Sequence, residues 1–294
     1  MDAPWPDIAE AISAATGERF TLEDRKPVSG GCINRAWIVS ARRRRYFVKV
    51  NEAARRVMFE AEAAGLSALA RTNCVRVPKT ICAGEALGSA WLVLECIDLH
   101  PRDGPSDGRL GQQLAALHRH GAHAFGWEPD NTIGPTLQNN KWCADWAAFW
   151  RSRRLEPQLA RAAGNGYGGK LQADGEKLLY RLGHFLSHSP QPALLHGDLW
   201  SGNAAADTQG TPVIFDPAVY YGDREADIAM TELFGGFSAR FYSAYREASP
   251  LDAAYEVRKD LYNLYHVLNH LNLFGASYLG QAKRVIARLL AEAR

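Results

Sequence analysis

Residues 194–216 read LLHGDLWSGNAAADTQGTPVIFD. Two short apolar runs, Leu194-Leu195 and Val213-Ile214-Phe215, lead into His196 and Asp216. Asp198 follows His-Gly, Asn203 comes five residues later, and Asp216 closes the segment thirteen residues beyond that. Apolar runs this short read as buried strands whose ends deliver side chains to one place. Phosphoryl transfer needs such a set. One carboxylate accepts the hydrogen bond of the attacking hydroxyl, while an amide oxygen and a second carboxylate hold Mg²⁺ against phosphate oxygens. Hard oxygen ligands suit Mg²⁺, which leaves His196 to support the loop rather than a metal. A polar loop between two strands accounts for any one of these residues but not for His-x-Asp-x4-Asn-x12-Asp.

Upstream, the chain supplies a matching half. The run Ser29-Gly30-Gly31-Cys32-Ile33-Asn34 precedes a strand and can set backbone N–H groups over phosphates, although Gly-Gly also makes an ordinary hairpin turn. Residues 36–40 (AWIVS) and 46–50 (YFVKV) read as a hairpin with Arg42 to Arg45 at its tip, a solvated turn rather than a phosphate contact. Lys49 sits inside the second, apolar strand. A helix over 52–70 carries Glu62, which can pair with Lys49 and aim its ammonium at phosphates. Glu60 lies on another face of that helix, so only one of the two points inward. A short helix ending at Gly17 comes first, and a strand over 90–97 completes this half.

After Ile97 the texture changes. Residues 98–108 hold Pro, Gly and Asp in the manner of a linker, and beyond them 110–119, 142–155 and 256–274 are helical in pattern. Only 193–195 and 212–215 still read as β. The expected class is α+β, with a sheet-rich N-terminal lobe (1–97), a mainly helical C-terminal lobe (98–294) and a ligand cleft between them. Among the remaining features, Asp223, Arg224, Glu225 and Asp227 read as a buried Arg–carboxylate network bracing the Asp216 loop. The pair His266 and His270, four apart on a helix, reads as packing or a pocket wall rather than a metal site, since no HExxH glutamate accompanies it.

Composition removes several classes. With 294 residues and 47% apolar content, about three quarters of the extended chain's surface is buried on folding, which excludes a disordered chain or a disulfide-stapled module. The net charge of +2 gives no reason to expect a nucleic-acid partner. No stretch is long and apolar enough for a membrane span, and the opening MDAPWPDIAE is unlike a signal peptide, so a cytoplasmic location is expected. Five Cys without CxxC spacing read as mostly buried, reduced thiols, with Cys32 alone exposed beside its glycines.

The motifs HGDLWSGN (196–203), FDPAVYYGDREADIAM (215–230), ELFGGF (232–237) and LYNLYHVLNHLNLFG (261–275) together resemble the fructosamine kinase (ketosamine-3-kinase) family. That family lies in the aminoglycoside-phosphotransferase-like branch of the protein-kinase-like fold. SGGCIN (29–34), FVKVN (47–51) and FGWEPDNTIG (125–134) extend the resemblance over nearly the whole chain. It implies Asp198 as catalytic base, Asn203 and Asp216 as Mg²⁺ ligands, and Lys49 with Glu62 on the ATP phosphates. The 29–34 loop (Gly30, Gly31, Cys32, Asn34) would cover those phosphates, and Glu95, Cys96 and Ile97 would form the adenine hinge. Trp200 and His270 would line the acceptor pocket. The implied acceptor is the 3-hydroxyl of a ketosamine, as a small molecule or on a glycated protein lysine, and the implied outcome is deglycation. Relatives with a cysteine at position 32 look able to join two protomers by a disulfide, so a monomer or a Cys32-linked homodimer is expected. The sequence departs from protein kinases in having Pro217-Ala218 after Asp216 and no Ala-Pro-Glu, which argues against a phosphorylated activation segment. A related aminoglycoside, choline or homoserine kinase, or an inactive nucleotide-binding module, would share much of this pattern.

Overall fold

The structure, a computed structural model, describes residues 3–28 and 33–293; the expectations placed on Gly30, Gly31 and Cys32 lie outside the described residues. Helix α1 (Trp5–Thr16) has Pro6 in its first turn, where no N–H is needed, and stops at Gly17 in the left-handed region. There follow β1 (Asp24–Val28), β2 (Arg35–Ala41), β3 (Arg44–Glu52), α2 (Arg56–Arg71), β4 (Thr80–Ala86) and β5 (Ser89–Glu95). The strands make one antiparallel sheet in the order β1-β2-β3-β5-β4.

Strand alternation gives this sheet two buried faces. Val48 and Val50 of β3, with Trp91 and Val93 of β5, pack toward Ile8 and Ile12 of α1. Leu92, Leu94 and the partly buried Phe47 turn the other way, into the large core shared with Phe59 and Leu66 of α2. Lys49 alternates with Val48 and Val50 and is therefore on the α2 side, where it is only 7% exposed. Alternation, not hydrophobicity, puts a lysine there.

The second half begins with α3 (Gly104–Leu117), the hairpin β6 (Asn131–Ile133) and β7 (Thr136–Gln138), and α4 (Trp146–Phe149). A π-helical stretch, Trp150–Leu155, joins α4 to α5 (Glu156–Gly164). Next come α6 (Lys170–Tyr180), α7 (Leu182–Phe185), β8 (Ala193–Leu195), β9 (Ala204–Ala206), β10 (Pro212–Ile214) and β11 (Tyr220–Gly222). The chain ends with α8 (Glu225–Leu233), α9 (Ala239–Ala248), α10 (Tyr255–Phe274) and α11 (Leu279–Glu292). β9 pairs with β10 and β11 with β8, both antiparallel, so the polar segment at 196–203 and the one at 216–219 emerge side by side. Among the described residues, no helix is long and apolar enough to cross a membrane.

Several sequence expectations are corrected. The hairpin turn is only Arg42-Arg43, because Ala41 pairs with Arg44 and a two-residue loop suits the strand twist. Arg44 and Arg45 are strand residues, and Arg45 binds Asp98. The expected linker becomes helix from Gly104 on. Asp103 caps the helix reciprocally with Ser106, and Pro105 fits the first turn, so helix-start residues had looked like loop residues. β1 (DRKPV) is an additional, exposed edge strand, whose lack of apolar alternation gives it no strand signal in the sequence. The four described cysteines are free but only half-buried.

The charged cluster after Asp216 is also rearranged. Arg224 donates to the carbonyls of Ser249 and Pro250 and to the Tyr245 hydroxyl, not to a carboxylate. The cation that meets Glu225 is Arg258 of α10, through two bonds of 2.7 and 2.9 Å with both side chains about 5% exposed or less. Asp223 accepts from Tyr262 and His188. Among the described residues, His188, Asp223 and Glu225 are the group close enough to share a metal, but Arg258 and Tyr262 already satisfy it. Removing one partner of a buried pair strands the other charge. Arg258→Met is expected to lower the unfolding free energy by about 3 kcal/mol, and adding Glu225→Leu to recover most of that, in urea titrations followed by circular dichroism.

Candidate active site

Lys49 reaches from β3 to Glu62 of α2, Nζ to Oε1 2.7 Å, and also contacts the Asp216 carboxylate. Helix geometry selects between the two glutamates. Glu62 faces the sheet, while Glu60 pairs with Arg56 at the surface. One ammonium thus serves two carboxylates. Burial alone would lower the lysine's pKa, but the charges of Glu62 and Asp216 more than offset it and hold Lys49 above its ordinary value. Burial also raises Glu62, with the Asp216 charge adding to it. Burial pushes on Asp216 in the same direction, yet Lys49 prevails and keeps this carboxyl below the usual range.

The 196–203 loop is held from beneath. Asp227 of α8 accepts the backbone N–H groups of His196 (2.7 Å) and Gly197 (2.9 Å), and its Oδ2 also meets His118 Nε2 at 3.2 Å. The other nitrogen of His118 meets the Tyr245 hydroxyl at 2.8 Å. Asp227 therefore braces the Asp198 loop and not, as the sequence suggested, the Asp216 loop. His196 is fully buried, with Nε2 on the Phe215 carbonyl and Nδ1 accepting from the Asp198 N–H, which confirms it as loop support. Gly197 has φ of 82°, and a Cβ there would collide with the Ala218 carbonyl, so no other residue lets the two loops come this close.

Asn203 knits the site together. Its Nδ2 donates to the Asp198 carbonyl (2.9 Å) and carboxylate (3.3 Å) and reaches the Asp216 carbonyl at 3.5 Å. With the nitrogen so engaged, Oδ1 is left without a hydrogen bond among the described residues, and the Asp216 side chain on the adjoining loop is 46% exposed. An amide oxygen and a carboxylate oriented in this way are a hard donor set that fits Mg²⁺. Burial, with the charges of Asp216 and Asp227, pushes the Asp198 carboxyl up to about 7. A cation beside it would draw it back down.

The remaining expected residues fall at the edges of this centre. Glu95 binds Arg76 through its side chain (2.9 Å), and among the described residues no backbone hydrogen bond engages Cys96 or Ile97, leaving those groups open to a planar base. The side-chain Oδ1 of Asn34 accepts from Asn51 Nδ2 at 2.7 Å, which ties Asn34 to β3. Trp200 is 38% exposed and meets His270 only through Phe234, whose ring lies 6.1 Å from the indole and 5.1 Å from the imidazole. Phe274 and Tyr278 extend this aromatic wall. Phe234 was not singled out from the sequence, and its place after α8 gives no periodic signal. Burial holds His270 and His266 below the ordinary imidazole value, His266 down to about 3.

A two-part architecture with a lysine–carboxylate pair on the sheet and an Asp/Asn/Asp set on adjoining loops defines a phosphotransferase of the protein-kinase-like fold. The same fold is seen in an aminoglycoside phosphotransferase in ternary complex with ADP and hygromycin B, with a TM-score of 0.65 over 97% of this chain and 98% of that one, at 16% identity. A sequence profile described as fructosamine kinase matches residues 4–292, and the chain belongs to that family. A relative from Synechocystis named as a probable ketoamine kinase is 50% identical, covering 98% of this chain and 97% of its own. A chloroplastic protein-ribulosamine 3-kinase of Arabidopsis thaliana is 43% identical over 88% of this chain and 80% of its own. A solved fructosamine-3-kinase candidate from Haemophilus somnus superposes with a TM-score of 0.91 at 31% identity, covering 97% of each chain. The chain is accordingly an ATP-dependent phosphotransferase acting on an alcohol group.

Asp227→Asn replaces one acceptor of two backbone N–H groups by a donor, which shifts the Asp198 loop. Steady-state assays should then show kcat reduced about a hundredfold with the fold retained by circular dichroism.

Proposed function

We propose that the protein transfers the γ-phosphoryl group of ATP to the 3-hydroxyl of a ketosamine, a ribulose or fructose rearranged onto an amine such as a lysine side chain. One observation supports this most: Lys49, from the N-terminal sheet, contacts Asp216, which is joined through Asn203 to Asp198 in one later segment that also carries the exposed Trp200. The names of the relatives supply the acceptor class.

In this reading the cleft lies between 1–97 and 98–294, and Cys96 and Ile97 bind adenine through their backbone. Lys49, oriented by Glu62, neutralises phosphate oxygens. Mg²⁺, when bound, would stabilise charge on the transferring group, and Asn203 Oδ1 and Asp216 would hold it. Asp198 accepts the hydrogen bond of the attacking hydroxyl and takes its proton as transfer completes. Trp200, Phe234 and His270 give the sugar and its amine an apolar, uncharged wall. With a phosphate at C3, next to the C2 carbonyl, loss of a C1 proton gives the 1,2-enaminol, the C3–O bond breaks as inorganic phosphate leaves, and water hydrolyses the resulting imine, returning the free amine and a 3-deoxy-dicarbonyl sugar. The role that follows is deglycation.

Asp198→Asn keeps the shape but cannot take the proton. It should still bind ATP, with kcat on ribulose-lysine down at least about a hundredfold. Wild-type turnover by this variant would remove Asp198 from the role. Assayed with ATP against ribulose-lysine, fructose-lysine, an aminoglycoside, choline and homoserine, the enzyme should phosphorylate the two ketosamines. Activity confined to one of the other three would overturn the acceptor assignment.

A further inference from the structure

We propose that a buried ladder of amides carried by the β6–β7 hairpin, Asn131 and Gln138, backed by Asn140, Arg154 and Tyr265, is a positioning device for Asp216. The inference rests on the role proposed for Asp216 and adds a second set of residues to it.

Asp216 has φ of 57°. A non-glycine residue in this left-handed region costs about 1–2 kcal/mol and persists only where its flanks are over-determined. The preceding flank is fixed by the Asp198 loop, since Phe215 donates to the Asn203 carbonyl and accepts from His196. The following flank is less obviously held. Pro217 has no N–H. Ala218 donates to the His196 carbonyl, but the carbonyls of Ala218 and Val219 are buried and precede β11, outside any strand pairing. Side chains take them. Asn131 Nδ2 donates to Val219 O at 2.7 Å, and Gln138 Nε2 reaches Ala218 O at 3.4 Å.

The ladder behind these two amides has a fixed polarity. Arg154 lies in the π-helical stretch and is fully buried, and no carboxylate pairs with it among the described residues. It packs over the Tyr220 ring at 4.1 Å and donates to the Asn139 carbonyl at 3.1 Å. A guanidinium can only donate. Asn140 must therefore turn Oδ1 toward Arg154 (2.7 Å), which leaves Nδ2 to donate to Asn131 Oδ1 (2.7 Å). Asn131, with its oxygen so occupied, has only Nδ2 left to offer, and offers it to Val219. Gln138 must turn Nε2 toward this same Asn131 Oδ1 (3.0 Å), from where it also reaches Ala218 O, and its Oε1 then accepts from the Tyr265 hydroxyl (2.8 Å). All five side chains belong to residues no more than 3% exposed. Each amide direction is thus set, one after another, from the buried cation, and the sum of them is two donors aimed at the backbone just past Asp216.

The same hairpin packs against α2, which carries Glu62, and Gly65 of α2 faces Pro217 and Val219. One small hairpin therefore braces both carboxylates that share Lys49.

Two variants test this. Asn131→Leu removes the donor to Val219. Asn140→Asp keeps the acceptor for Arg154, and pairs its charge, but reverses the polarity further along; it keeps the idea testable if Asn131→Leu does not fold. Amide hydrogen exchange of the nucleotide-free protein should accelerate about tenfold in peptides covering 216–222 and not in the β2–β3 hairpin or α3. In turnover, half-saturating Mg²⁺ should rise about tenfold and kcat should fall, with the acceptor KM unchanged. If both folded variants exchange like wild type at 216–222, or lose kcat only in step with thermal stability at unaltered Mg²⁺ dependence, the ladder is merely structural and the inference fails. Failure of the wild-type enzyme to phosphorylate any ketosamine would instead strike the proposed function, because the exchange measurement needs no substrate.

Discussion

Lys49 is a buried cation whose ammonium is shared by Glu62 from a helix packed on the sheet and Asp216 from a loop of the other half. A buried cation without partners would be expensive, and so would either carboxylate. The three groups therefore constrain the relative placement of β3, α2 and the Asp216 loop at once. The contact of Gly65 with Pro217 and the bonds between the 196–203 and 216–219 segments hold the same elements together.

Charge is the second theme. Burial raises the Asp198 and Glu62 carboxyls, and the negative charge of Asp216 adds to both, although Lys49 opposes it at Glu62. Such a pocket repels a bare triphosphate, and a divalent cation bound at Asn203 and Asp216 would reverse that repulsion. The protein meets its own repulsion by fixing the loops with neutral groups. Asp227 spends its charge on backbone N–H groups and His118, and the Asp216 flank is held by amides. The carboxylates stay close without a lysine or arginine against each one.

Much of this was readable from the chain. HGDLWSGN and the Asp216 motif announce an Asp/Asn/Asp set because phosphoryl transfer tolerates few alternatives at that spacing. Lys49 was conspicuous as a charge within an apolar strand, and helical geometry let only one of Glu60 and Glu62 point inward. The edge strand β1 was not legible, since an exposed strand needs no apolar alternation. Neither was the start of α3, whose Asp, Gly and Pro serve loops and helix N-termini equally. The contact of Trp200 with His270 through Phe234 was not legible either, because contact between rings on different elements leaves no spacing to read.

The local chemistry of the site was therefore fixed by the order of residues: which atoms can donate, accept or bind a hard cation, and which strands and helices carry them. The partners of the charged groups were decided only by folding. Arg258 rather than Arg224 meets Glu225, Asp227 serves the Asp198 loop rather than its neighbour, and Arg154 lies buried against amides and rings. Periodicity tells which face of an element is buried but not which other element covers that face, and a buried charge takes whatever partner the covering element brings.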